Sequence, residues 1–455
     1  MKKNTLHIAN WLIIVGLSGI WPLAVSIAQE NEVQEGRDLL LNYAFLPRDF
    51  HQSTFDELWK DWPEPLRSQA EQASPAERRE MAFKRFGLSG RQEAPEKPLQ
   101  YVVDNEGWWS MNCFACHGGK AAGVPYEGLP NAQLALETLY ADLRRTKKRL
   151  DLPLGPMERG SMIVPMGSTV GTSNAVIFGI ALMSYRDKDL NLRPFRFPPV
   201  LIHHDMDAPP WWNVKKRERL YIDGFVEKSH RALIPFVMDQ RNSGEKMIGW
   251  EDEFKKIFAY IESLPAPKYP FEIDRILAQK GQTVFENNCA ECHGSYGAEM
   301  DYPSRIIPLE EIGTDPTRLK ALSVKHRQGY DESWYAHYGK DETVYDPPGY
   351  QAPPLDGVWA SAPYLHNGSV PTLWHLLNPE ERPSIWRRPD NDAYDAEKVG
   401  LAVEALDRLP RELRGDIRRE YFDTSVRGKS AAGHEYPNRL GESEKRALLE
   451  YLKTL

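Results

Sequence analysis

Four cysteines in 455 residues are too few to staple a small scaffold, and the chain is long enough to bury a core without them. Positive charge is not in excess. Lysine and arginine number 57 against 65 acidic residues, and a formal net charge of −8 gives no electrostatic reason for a nucleic-acid partner. Beyond the amino-terminal segment, no apolar run is long enough to cross a bilayer. Histidine is missing from 118 to 202, which removes the commonest metal ligand from that whole stretch.

All four cysteines fall in two copies of one motif, Cys113-Phe114-Ala115-Cys116-His117 and Cys289-Ala290-Glu291-Cys292-His293. Cys-X-X-Cys-His supplies two thiols for covalent haem attachment and an imidazole for the iron. A zinc site needs four ligands, and a redox dithiol does not need the trailing histidine. Both copies carry that histidine and continue into glycine, Gly118 and Gly294. The spacing alone leaves a disulfide between the pairs open. The expected cofactors are two covalently bound haem c groups, held by Cys113, Cys116, Cys289 and Cys292, with His117 and His293 on the irons.

Lys2 and Lys3 precede an apolar run from Trp11 to Val25, and Ser26-Ile27-Ala28 offers the small residues a signal peptidase reads. The segment 1–28 is expected to be an export signal cut after Ala28, with an uncleaved anchor as the alternative. Its removal moves the formal charge from −8 to −10. A periplasmic or secreted address and a mature form without a membrane span follow.

Glu251 to Leu264 places Phe254, Ile257, Phe258 and Ile261 at helical spacing, and Pro265, Pro267 and Pro270 stop it. Ile273 to Phe285 reads as a second helix running into the second motif, and Glu442 to Leu455 closes the chain with Leu448, Leu449 and Leu452 on one face. Helix, motif, long loops and closing helix is the plan of cytochrome c. A mainly α fold is expected, with two cytochrome c-like haem domains: an enlarged one over 31–264, a proline-rich linker over 265–272 and a compact one over 273–455. The enlarged copy has charged, partly helical sequence from Phe55 to Phe86, an amphipathic helix from Leu134 to Leu150, and a long irregular insertion of the kind that carries function.

The sixth ligand of each iron decides between electron transfer and chemistry. For the second haem the expected ligand is His366, 73 residues after His293 in a loop punctuated by proline and glycine; His375 reads as an ordinary core or surface histidine. For the first haem, Met166, one of His203, His204 and His230, or an open site remain as alternatives. Trp211, Trp212 and Phe236 are the candidate distal-pocket residues, set against plain core packing. Lys215, Lys216, Arg217 and Arg219 read as a solvated face or as partners for haem propionates, and no compact acidic loop predicts calcium.

Ala362-Pro363-Tyr364-Leu365-His366-Asn367-Gly368-Ser369-Val370-Pro371-Thr372-Leu373 resembles the carboxy-terminal ligand loop of bacterial dihaem oxidoreductases, including dihaem cytochrome c peroxidases and rubber-oxygenase-like proteins. His117-Gly118-Gly119-Lys120, Gly128-Leu129-Pro130-Asn131 and Asp207 to Lys216 resemble the rubber-oxygenase branch. The resemblance implies a five-coordinate first haem, held by His117, that handles dioxygen, and a bis-histidine second haem held by His293 and His366. The expected function is a periplasmic dihaem oxidoreductase acting with dioxygen on an apolar substrate. The alternatives are a peroxidase reducing hydrogen peroxide and a non-enzymatic electron carrier. Expected partners are dioxygen or peroxide, an apolar co-substrate and an electron-transfer protein.

Overall fold

Seven longer helices carry the architecture of this computed structural model, which describes residues 20–193, 202, 204–297, 300–413 and 415–455, with residues 20–28 described by their backbone alone. They are α1 (Ile20–Asn42), α2 (Pro75–Phe86), α3 (Leu136–Arg149), α4 (Ala175–Ser184), α5 (Glu251–Ser263), α6 (Arg275–Asn288) and α7 (Glu442–Leu452). Their ends follow local chemistry. Ser74 and Glu77 close a capping box at the start of α2, with Pro75 in its first turn and left-handed Gly87 at its end. Asp274 accepts from Ile276 and Leu277 to start α6, and Glu251, Asp252 and Glu253 favour the positive end of α5.

Two helix pairs repeat one packing device. The first pair is α1 along α5, and the second is α6 along α7. Each crossing is closed by a glycine. A Cβ on Gly36 would stand 2.1 Å from the Lys256 carbonyl oxygen, and one on Gly281 would stand 1.9 Å from that of Ala447. Both approaches are backbone on backbone, so only glycine fits. Phe254, Ile257 and Ile261 of α5 are buried with Leu40 and Leu41 of α1; Phe285 of α6 is buried with Leu448, Leu449 and Leu452 of α7. Each such side chain contributes roughly 1.5–3 kcal/mol by leaving water.

The first helix of the amino-terminal pair begins before residue 31 and runs through the expected cleavage position. Residues 1–19 lie outside the described residues, as do the side chains of 20–28. Between α1 and the first motif stand α2 and a three-stranded antiparallel sheet, β1 (Phe50–His51), β2 (Tyr101–Val103) and β3 (Trp108–Met111), in the order β1-β3-β2. This half therefore carries a helix and a sheet ahead of its Cys-X-X-Cys-His motif. In the second half α6 feeds directly into Cys289.

The prolines of 265–272 divide the sequence but not the packing. Trp359 Nε1 donates to the Pro267 carbonyl, and the Tyr269 ring packs on Trp359, so the expected linker is pinned to the second core. Leu322, Tyr330 and Tyr335 follow the second motif in sequence yet are buried in the first core. Trp212, Leu129 and Ala132 precede it yet are buried in the second. The two cores thus draw on both sides of the expected boundary, because apolar area is buried wherever a complementary face lies, whatever the order of the chain.

Candidate haem sites

The first motif is a single helical turn, Phe114–His117, presented by β3. Asn112 aims it: its amide donates to the Leu40 and Leu99 carbonyls, and its Oδ1 accepts from the Phe114 N–H at 3.0 Å. Asn131 holds the other side, donating its amide to the Ala115 carbonyl while its own N–H reaches the Cys116 carbonyl. The Gly128 N–H donates to the His117 carbonyl at 2.7 Å, and a Cβ at Gly128, whose φ is +86°, would press on Trp211. The segments 117–120, 128–131 and 207–216 thus meet around one imidazole.

The His117 ring is half-buried and stacks on Trp211, with centroids 4.8 Å apart and planes 26° apart. Burial holds its pKa down to about 4, against the opposing pull of the nearby Pro209 carbonyl. Its Nδ1 nevertheless makes no full hydrogen bond. Among the described residues the four cysteines are not paired with one another, which removes the disulfide left open by their spacing. Burial pushes Cys113 up to about 12, and Cys116 and Cys289 up to about 11.

The second motif begins at Cys289, whose N–H donates to the Phe285 carbonyl at the end of α6. His293 Nδ1 lies 2.9 Å from the Pro353 carbonyl, which fixes the ring. The imidazole facing it is His434, at 6.2 Å between centroids and 64° between planes. Two imidazoles ligating one metal from opposite sides would have centroids about 6 Å apart, given about 2 Å per metal–nitrogen bond and about 1 Å from nitrogen to ring centre. Burial, then the charges of His293 and Arg382, hold His434 down to about 3, and its Nδ1 is buried without a partner. It is neutral at ordinary pH, as a metal ligand must be.

The loop that carries His434 is built to hold it. His434 has φ +51° and donates its N–H to the Ile312 carbonyl. Gly433, at φ +82°, lets the loop press on Gly313, where a Cβ would stand 2.4 Å from backbone. The Arg382 guanidinium donates to the carbonyls of Ala431, Gly433 and His375.

His366 is placed elsewhere, stacked on Tyr350 at 4.3 Å and 24°, with Asp315 and Arg318 as its charged neighbours. The ring that the structure brings beside His293 is thus that of His434, while the expected partner His366 lies against Tyr350. Reasoning on the rigid Pro-Tyr-Leu-His-Asn-Gly loop hid a histidine 141 residues after the motif; its signal was the preceding glycine in Gly433-His434. The three expected distal-pocket residues have different surroundings. Trp211 covers the His117 ring itself, Trp212 donates to the Asp356 carbonyl inside the second core, and Phe236 is 37 % exposed beside Tyr221. Met166 is buried in the cluster against which Cys116 packs. His230 is engaged by Glu251, His375 by Thr372, and His203 lies outside the described residues. Lys216 pairs with Asp356 and Arg217 is buried against Gln351, so these two are not a solvated face.

Among the described residues no three His, Cys, Asp or Glu converge as a protein-only metal site. Unpaired cysteines beside the imidazoles of His117 and His434, each with an orphaned Nδ1, and beside His293 fit haem.

Comparison with known proteins agrees. Residues 278–356 match the family described as cytochrome c, and residues 349–387 match that described as RoxA-like, cytochrome c-like. The chain therefore contains c-type cytochrome sequence, and covalently bound haem c is its implied cofactor. The uncharacterised protein y4iM of Sinorhizobium fredii is 29% identical over 294 residues, which is 54% of this chain and 64% of that protein. The uncharacterised protein y4iJ of the same organism is 31% identical over 259 residues, 42% of this chain and 41% of that protein. The chain thus spans less than two thirds of either relative.

Proposed function

We propose that the chain is an exported dihaem c-type cytochrome oxidoreductase with unequal haems. The observation that carries this reading is the asymmetry of the two motif histidines. His293 faces a second imidazole, His434, whereas the ring contact of His117 among the described residues is Trp211, stacked on the imidazole rather than opposed to it. A haem held by two imidazoles passes electrons, and one held on a single side can bind dioxygen. The Lys2, Lys3 and Trp11–Val25 pattern supports export.

The chain's own residues then divide the work. Cys113 and Cys116 would hold the first haem and His117 its iron; Cys289 and Cys292 would hold the second, between His293 and His434. Bound there, haem supplies redox chemistry at its iron. Trp211 fixes the His117 ring plane and keeps water from that side. Trp211 and Trp212 are adjacent residues buried in different cores, so they join the two motifs through packed aromatic matter. The class of reaction proposed is oxygenation of an apolar co-substrate by dioxygen: Cys113, Cys116 and His117 would hold the haem that supplies this chemistry, and Cys289, Cys292, His293 and His434 the one that would serve electron exchange with a protein partner.

Absorption and electron paramagnetic resonance spectra of the ferric holoprotein test the assignment. One high-spin and one low-spin haem are expected. His434→Ala should abolish the low-spin signal, and His366→Ala should leave it. Two low-spin haems in the unmodified protein overturn the division of labour. Consumption of peroxide without oxygen uptake would replace the oxygenase by a peroxidase at the same haem.

A further inference from the structure

A second group of reactive side chains lies beside the first haem motif. Tyr140 and Tyr101 are fully buried and Asp49 is 7 % exposed, inside an apolar cluster that includes Phe50, Trp109 and Met166. Cys116 packs against the same cluster. The Tyr140 hydroxyl donates to Asp49 Oδ2 at 2.6 Å. Asp49 Oδ1 has no partner, and the Tyr101 hydroxyl lies beside Tyr140 without completing a hydrogen bond. Stability alone does not ask for this arrangement, because a phenylalanine and a leucine would fill the space without unsatisfied polar atoms.

The geometry is that of a phenol paired with its own base. Oxidising a buried tyrosine without removing its proton would place a cation in an apolar core, which is prohibitive. Burial raises the Tyr140 hydroxyl well above its ordinary value, so the proton cannot leave beforehand and must move with the electron. Asp49 can take it. Burial, opposed by the Tyr140 hydrogen bond, brings its carboxyl up to about 7, with Glu158 adding to the rise and Lys147 and Arg241 working against it. A base near the ambient pH transfers protons efficiently in both directions.

We propose that Tyr140 and Asp49 form a proton-coupled redox site that donates an electron to the haem at Cys113–His117. The inference rests on the reactive first haem proposed above. In the step, Tyr140 gives one electron to the haem, which is reduced by one equivalent. The Tyr140 O–H bond breaks and its proton passes to Asp49 Oδ2, leaving a neutral phenoxyl and a neutral carboxylic acid. The oxidising equivalent comes from hydrogen peroxide, whose reduction to two waters takes this electron, a second one supplied by the haem groups and two protons from solvent. Trp109, 5.3 Å from Tyr101 between ring centroids, extends the aromatic contact to Phe50 and Phe55 within the same cluster.

Rapid freezing of the holoprotein after mixing with hydrogen peroxide tests the site by electron paramagnetic resonance, with haem absorption followed in parallel. A tyrosyl signal is expected. Tyr140→Phe should remove it while leaving the ferric haem spectrum unchanged, and Asp49→Asn, which still accepts the hydrogen bond but cannot take the proton, should lower its yield by about tenfold or more. A haem spectrum that peroxide does not move overturns the reactive-haem reading and the redox site with it. A haem that responds without a tyrosyl signal, or with one that survives Tyr140→Phe, overturns the redox site alone. Should Tyr140→Phe fail to fold, a yield unaltered by Asp49→Asn overturns it equally.

Discussion

Single residues set the electronic character of this protein, and Arg382 has a larger part in it than its position in the sequence shows. Its guanidinium fork ties the loop that presents His434, so loss of the fork should free that imidazole without touching the haem. Arg382→Lys keeps the charge but not the fork. It is expected to cost about 2 kcal/mol of stability and to convert part of the low-spin second haem to high spin, read by temperature-dependent absorption. His375 offers a separate test at the same scale. Burial holds it down to about 4, whereas an unfolded histidine titrates near 6.5. Between those values the unfolded chain binds the extra proton, so this residue's contribution is complete above pH 6.5 and falls as pH drops toward 4. The loss is at most about 3 kcal/mol. A thermal midpoint that declines less steeply over this range in His375→Gln than in the parent protein is the expected result.

Among the elements, the two glycine-closed helix crossings are the most demanding features. Gly281→Ala would push a methyl into the Ala447 carbonyl, and Gly36→Ala one into that of Lys256. Each is expected to cost about 3 kcal/mol, measured by denaturant unfolding, although alanine is the better helix former at both positions. A rise in stability would show that the helices can slide apart at no cost. Much of this scale was legible in advance. The helices at 251–263, 275–288, 442–452 and 136–149 lie within a few residues of their expected ends, because apolar spacing, caps and prolines act locally. Helix α1 was not legible, since its amino-terminal part reads as an export segment. Nor were the strands at 101–103 and 108–111, short segments that become strands only by pairing with each other.

At the scale of the whole molecule, the chain is woven rather than strung. Leu322, Tyr330 and Tyr335 complete the first core from beyond the second motif, and Trp212 enters the second core from before it. Residues 273–455 expressed alone should therefore expose those aromatic rings and lack a cooperative thermal transition, whereas the full chain should unfold its two cores together. A fragment that melts cooperatively and binds haem c would show two separable domains.

The sequence by itself determined the haem attachment chemistry, the motif histidines and the helical framework. These depend on residue type and on spacings of a few positions, which local stereochemistry translates directly. Only the tertiary structure decided that His434 and not His366 faces His293 and that Trp211 lies on His117 rather than across a pocket. Each of those outcomes depends on which distant segments come within a few ångströms of each other. Such approaches are set by the burial of complementary faces and by close backbone contacts at Gly433 and Gly128, and no spacing along the chain encodes them.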